Sequence, residues 1–510
     1  MAAGTDAPSE LQPGSQLRRR VQWSGLVLGP VLSLLVYRLL VDTGVEGLSA
    51  EGRAVAAIGV WMAVWWLTEA VHVSVTALLP IALLPLTGAL SVGEATAPYA
   101  SPLIFLFLGG FVLAVSMQRW GLDERIALLT ITRVGERPAH LVGGFMVATA
   151  VMSMWVSNTA TVAMMLPIAV SVAGLVERLE QSSSEEEADP PAAGFAVCLL
   201  LSIAYAASIG GLGTIIGTPP NLFVASYLRD TLGVDLSFVT WMALGLPLVV
   251  VFLPLTWWLM TRVLHPLSRD PVEGAQRLAQ QRYRDLGPAN RGQLATFVVF
   301  TLTALAWMTR PLLTELEVAG LRPLAGLSDT GIAIVAALAL FTIPVDLRKR
   351  VFVMEWRDAE KLPWGVLLLF GGGLSLANAI EETGLGNWIG RTVAQVGALP
   401  AIIVVGLVVL VVVALTELTS NTATTAAFVP VMAGVAPALG IPAPVLVVPV
   451  ALAASAAFMM PVATPPNAIV FGSGRIALPQ MLRAGVWLNL FTVVLVTTAA
   501  VTLVPRILGV

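Results

Sequence analysis

MSMWVSNTATVAMMLPIA (residues 152–169) and LTELTSNTATTAAFVPVMA (residues 415–433) carry the same polar tripeptide, Ser-Asn-Thr, in apolar surroundings. Ser157-Asn158-Thr159 is followed downstream by Gly217-Thr218-Pro219-Pro220-Asn221, and Ser420-Asn421-Thr422 by Ala463-Thr464-Pro465-Pro466-Asn467. Polar side chains and paired prolines at membrane depth cost free energy unless they line a site. Finding the arrangement twice predicts two halves that face each other across one binding site.

Working outward, the surroundings are membrane-like. The chain has 510 residues, of which 57% are hydrophobic and 12% charged, with a mean hydropathy of +0.86. That balance excludes an ordinary soluble domain and indicates a polytopic membrane protein. The period-2 alternation of an outer-membrane barrel is absent, so the fold class is all-α. Eleven spans are predicted at 23–41, 54–71, 73–90, 101–119, 194–228, 239–264, 293–310, 329–345, 362–380, 442–473 and 480–507, with re-entrant hairpins at 141–176 and 400–438. Residues 1–20 read as a disordered cytoplasmic tail leading into an uncleaved first span. Residues 177–193 read as a flexible acidic connector. Residues 265–292 read as a cytoplasmic linker with a short surface helix.

Basic residues orient this scheme. With a cytoplasmic N-terminus, 21 of the 28 Lys and Arg fall in inside segments, six fall outside, and Arg38 lies within a span. This positive-inside bias weakens if the hairpins are made full crossings.

The duplication extends beyond the tripeptide. Asn421 follows Asn158 by 263 residues; LLLFGGG at 367–373 follows FLFLGGF at 105–111 by 262; Gly384-Leu385 follows Gly121-Leu122 by 263. Asn467 follows Asn221 by only 246, as expected if the acidic connector belongs to the first half alone. The charge pattern makes the first hairpin open toward the cytoplasm and the second toward the outside, so the repeats are inverted. Inverted repeats with broken helices characterise secondary transporters, whose site lies near the bilayer midplane.

The chemistry follows from residue type. Hydroxyls, amide N–H groups and helix N-termini suit an anion. Carboxamide oxygens and carbonyls freed by the Pro-Pro breaks suit a small hard cation. No Arg or Lys occurs in either tip or either break. A divalent anion there would lack a fixed counter-charge, so co-bound cations, at least two, are expected to supply it. Glu69 and Glu417 are intramembrane acids. For Glu417 a hydrogen-bonded anchor, a tuner of the second cation site and a proton carrier are all open. His72, His140 and His265 are dispersed and Cys198 stands alone, which gives no catalytic constellation or metal cluster. A channel would need a continuous wet pore rather than closed hairpins. The chain is expected to be no enzyme.

The phrases SNTAT (157–161 and 420–424), IGTPPN (216–221), VATPPNAIVFGSG (462–474), LPWGVLLLFGGG (362–373) and WWLTEAVHVSVTALLP (65–80) resemble the divalent anion:sodium symporters. The resemblance covers roughly 54–507. It implies a homodimeric elevator in the bacterial inner membrane that imports C4 dicarboxylates such as succinate, malate and fumarate with sodium. Citrate or sulfate transport with sodium, and dicarboxylate exchange, are the alternatives; no nucleic-acid partner is expected. It also implies a scaffold at 21–137 and 293–392 and a transport domain at 138–264 and 393–510. The implied sodium ligands are Ser153, Ser157, Asn158 and Gly217, then Thr416, Thr419, Asn421 and Ala463. The implied substrate contacts are Asn158, Thr159, Thr218, Ser420, Asn421, Thr422, Thr464 and Pro465. At one position the chain departs from the family, with His72 where Pro is common.

Overall fold

The computed structural model describes residues 13–43, 47–183, 191–272, 274–317, 321–394 and 400–510. It is almost wholly helical. Its one sheet among the described residues is a two-stranded antiparallel ribbon, Pro344–Asp346 with Val351–Phe352. Among the described residues, eight helices are long and apolar enough to cross a membrane by length and composition, and five further apolar stretches are shorter.

Several extents differ from the sequence reading. The described part of the first helix runs from Pro13 to Asp42. The expected disordered tail is therefore helical from Pro13 on, and its residues 1–12 lie outside the described residues. The expected connector at 177–193 is likewise shorter. One helix reaches Ser183 and the next starts at Pro191, with 184–190 outside the described residues. The predicted span at 73–90 is two short helices, Val73–Thr76 and Leu79–Leu86, because Pro80 starts a new helix and Pro85 precedes its end. The linker helix is present at Ala275–Asp285. It packs on helix Leu122–Ile131 through a Gln276-to-Thr132 carbonyl bond of 3.0 Å and an Arg125–Tyr283 cation–π contact.

The repeat governs the rest. The first hairpin is Pro138–Ser153 and Asn158–Ser183, and the first broken helix is Pro191–Gly211 and Pro219–Asp230. The second hairpin is Ala401–Thr416 and Asn421–Val435, and the second broken helix is Ala443–Ala454 and Pro465–Phe471. Each broken helix packs its first half against both arms of its own hairpin. Its second half crosses over. Pro465–Phe471 packs on Asn158–Ser183, and Pro219–Asp230 packs on Asn421–Val435. Each hairpin is thus completed by the other repeat.

Close packing needs glycine at defined points. A Cβ on Gly210 would lie 2.3 Å from the Ala150 carbonyl oxygen, so only glycine lets this hairpin arm approach. Gly245, in helix Phe238–Trp258, backs the first break: its Cβ would lie 2.3 Å from the Leu212 oxygen. Gly485, in helix Leu478–Leu508, backs the second in the same way, 2.5 Å from the Phe458 oxygen. Glycines of the duplicated phrases serve the same purpose: a Cβ on Gly109 would lie 2.7 Å from the Ala333 carbonyl oxygen, and one on its counterpart Gly371 would lie 2.1 Å from the Tyr99 ring.

Candidate functional site

Each hairpin tip ends one helix and starts another across four residues. A hydroxyl five positions before the tip asparagine donates to its side-chain oxygen. Ser153 Oγ bonds Asn158 Oδ1 at 2.5 Å, and Thr416 Oγ1 bonds Asn421 Oδ1 at 2.8 Å. Thr416 Oγ1 also lies 2.7 Å from the Ala454 carbonyl, an alternative acceptor for its single proton, and this contact ties the second tip to its broken helix. At the first tip close packing adds to a hydrogen bond from Thr214 to the Met154 carbonyl. Asn158 lies against Gly211, where a Cβ would be 2.8 Å from its Oδ1, and Gly217 lies against the Gly211 carbonyl. Ser157 and Ser420 hydroxyls accept from the N–H groups of Ala160 and Ala423, at 3.3 and 3.5 Å, as helix caps.

The breaks are closed by the asparagine after each proline pair. Asn221 Nδ2 donates to the carbonyls of Gly211 and Thr214, both at 2.9 Å. Asn467 Nδ2 donates to those of Ala457 and Met460, at 3.1 and 3.0 Å. The bonded carbonyls lie ten and seven residues back in both cases, so the two loops are folded alike. The side-chain oxygens of Asn221 and Asn467 are buried with no hydrogen-bond partner among the described residues.

Four helices begin here, at Asn158, Pro219, Asn421 and Pro465. Their dipoles favour negative charge, and the two that start at Asn158 and Asn421 also offer backbone N–H groups, which the proline-led pair lack at their first two positions. Asn158 and Asn421 oxygens and the loop carbonyls favour a hard monovalent cation. The described residues contain no His/Cys/Asp/Glu cluster able to hold a metal ion.

Five of the expected residues come together in two groups. Ser153, Asn158 and Gly217 meet at one tip, and Thr416 and Asn421 at the other. Ala463 sits in the second break, its N–H bonded to the Met460 carbonyl. Thr159 and Pro465 are exposed, Thr422 is half-buried, and Thr218 and Thr464 are buried. Thr419 is the exception: its hydroxyl is turned to the Leu415 carbonyl and Thr424 Oγ1, at 2.8 and 2.7 Å, away from Asn421.

Glu417 has a definite place. Its two oxygens accept from the N–H groups of Phe458, Met459 and Met460 at 2.8–3.1 Å, and from Asn489 Nδ2 at 2.7 Å. All of these bonds are donated to it, so both carboxyl oxygens serve as acceptors. Of the roles left open, the geometry is that of an anchor for the second break. In the first repeat Met154 holds the equivalent position. There the loop is secured by Thr214 donating to the Met154 carbonyl and Trp241 donating to the Leu212 carbonyl at 3.0 Å. His72 caps helix Val73–Thr76 by accepting from the Ser74 N–H at 3.3 Å. Glu69 ends helix Ala50–Thr68 in the left-handed region, φ 47°.

The comparisons with known proteins agree with this anatomy. Residues 23–508 match the profile described as "Sodium:sulfate symporter transmembrane region". The chain belongs to the divalent anion:sodium symporter family. It is 39% identical over 491 residues to the sodium-dependent dicarboxylate transporter SdcS of Staphylococcus aureus strains bovine RF122 and USA300, covering 96% of this chain and 92% of the relative. The fold is also similar to the Alcanivorax borkumensis YdaH transporter, with a TM-score of 0.55 at 16% identity, over 81% of this chain and 87% of that one. The protein is thus a multi-pass membrane transporter and not an enzyme.

Proposed function

We propose that this transporter imports C4 dicarboxylates such as succinate, malate and fumarate together with sodium. The observation that carries the reading is the pair of matched half-sites: oxygen ligands at Asn158 and Asn421, four converging helix starts, and no basic side chain in either tip or break. A dianion entering such a cleft empty of cations meets only neutral dipoles and stays poorly compensated. Sodium held at Ser153, Ser157, Asn158 and Gly217, and at Thr416, Thr419, Asn421 and Ala463, supplies two positive charges. The carboxylates then bond Asn158, Thr159, Thr218, Ser420, Asn421, Thr422, Thr464 and Pro465. Thr419 takes part through its backbone, since its hydroxyl is committed elsewhere. The relatives named for sodium-dependent dicarboxylate transport support both halves of this reading.

The same reading extends to movement. Residues 138–264 and 393–510 form the travelling body and 21–137 with 293–392 the scaffold, in a homodimer within a bacterial inner membrane and with a cytoplasmic N-terminus. Support comes from the interlocked hairpins and broken helices, which pack as one body, and from glycine-lined contacts such as Gly373–Phe223 at its boundary.

The test is uptake of radiolabelled succinate by proteoliposomes with an inward sodium gradient, then with potassium in its place. Sodium-driven accumulation is the expected result, and uptake indifferent to sodium rejects the coupling. Competition by unlabelled citrate, sulfate, malate and fumarate ranks the substrates. Efflux driven only by external succinate would turn the reading toward exchange.

A further inference from the structure

We propose that Ser455 is a positioning residue that orients the Thr218 hydroxyl toward the bound anion and links the two half-sites; this rests on the cleft reading above. Thr218 Oγ1 and Ser455 Oγ lie 3.4 Å apart, both residues are buried, and 237 positions separate them. Thr218 and Thr464 are counterparts in the repeat, yet their hydroxyls do different work. Thr464 Oγ1 accepts from the Asn467 N–H at 3.3 Å and caps its own helix. Thr218 makes no such cap and turns instead to Ser455 in the other repeat.

The neighbours of each residue give the contact its meaning. Thr218 directly follows Gly217 at the first tip. Ser455 directly follows Ala454, whose carbonyl lies 2.7 Å from the Thr416 hydroxyl, itself 2.8 Å from Asn421 Oδ1. A bond between Thr218 and Ser455 therefore joins the backbone of one half-site to that of the other. Position 209, the counterpart of Ser455, is Ile, so the link is made once and in one direction.

A hydroxyl has one proton and two acceptor positions. When Ser455 donates to Thr218, the Thr218 proton is left to point into the cleft, where a carboxylate oxygen would receive it. At 3.4 Å the pair is looser than a saturated O–H···O bond, which leaves room for it to tighten as the anion arrives.

The experiment titrates the thermal stability of purified full-length protein with sodium, alone and with succinate, for wild type, Ser455→Ala, Ser455→Thr, Thr218→Ala and the double variant. Ser455→Ala is expected to weaken the apparent succinate affinity about fivefold and to lower the sodium Hill coefficient from about 2 toward 1. Ser455→Thr, which keeps a hydroxyl, should retain both properties, and the double variant should be no weaker than Thr218→Ala alone. Losses that multiply in the double variant overturn the proposal, as does a Ser455→Ala protein indistinguishable from wild type. So does a Ser455→Thr variant as impaired as Ser455→Ala. A wild type stabilised by sodium but by no dicarboxylate rejects the substrate reading instead, and the sodium cooperativity still decides the role of Ser455.

Discussion

Asn158 and Asn421 each hold a hydroxyl on the oxygen that a cation would take, so the tips are shaped for a ligand before one arrives. Loss of a group supporting a metal ligand costs about 10–100-fold in affinity, and loss of the ligand itself no less. Asn158→Ala and Asn421→Ala should each abolish sodium-driven succinate uptake while leaving expression and the elution profile in detergent near normal. Glu417→Gln swaps an acceptor for an amide whose N–H₂ must face N–H groups of residues 458–460. It should lower stability by about 1–3 kcal/mol, read as a fall in melting temperature, and Glu417→Ala should be at least as harmful. Asp123, in the arm before the first hairpin, is a pH probe away from the cleft. Burial pushes its carboxyl up to about 6, against the smaller opposing effect of the Glu124 N–H it accepts. A carboxyl raised in the folded state binds its proton more tightly there than when unfolded. Its contribution is therefore fully present below about pH 4 and is lost as pH rises through 6. Asp123→Asn should then raise the melting temperature above pH 7, by no more than about 3 kcal/mol in stability, and bring no gain below pH 4.

At the scale of elements, the two tips and the two breaks were legible because duplication marks them. Paired prolines must interrupt a helix wherever they occur, and a tripeptide repeated at 263 residues needs no fold to be noticed. What holds those elements was not legible. Gly245 and Gly485 back the loops from helices that follow them, and a lone glycine in an apolar helix has many explanations. Glu417 could be singled out as an intramembrane acid, but its partners at 458–460 and 489 lie far along the chain. Ser455 escaped notice because its repeat partner is Ile209, and a search for duplication passes over whatever one half alone possesses. The span predicted at 73–90 was misjudged in length because composition cannot weigh Pro80 against its apolar neighbours. The glycines give this scale its prediction. Gly245→Ala and Gly485→Ala would place a methyl 2.3 and 2.5 Å from backbone oxygens. Each should cost about 1–3 kcal/mol through overpacking and impair uptake, seen as a lowered melting temperature together with a reduced rate.

For the molecule as a whole, orientation is the open quantity that chemistry can reach directly. Helix Asp329–Thr342 has 14 residues, about 21 Å of rise, which is short for a hydrocarbon core of about 30 Å. The charge bias nevertheless predicts Arg322 outside and Arg348 inside. The native Cys198 is buried, so background labelling is low. An impermeant maleimide applied to intact cells should label Arg322→Cys and spare Arg348→Cys until the membrane is opened; labelling of both from outside would rule out a crossing at 329–345.

The crosswise packing of Pro465–Phe471 on the first hairpin and Pro219–Asp230 on the second has a consequence for how the polypeptide can be taken apart. Neither repeat owns a finished cleft, so each resembles one hand of a clasp. A protease site placed near Gly287 should nick the chain without separating the fragments, which would co-purify in mild detergent and still take up succinate. Either fragment synthesised by itself would leave a proline-broken stub with no hairpin to lie on, and should be cleared by quality control rather than accumulate.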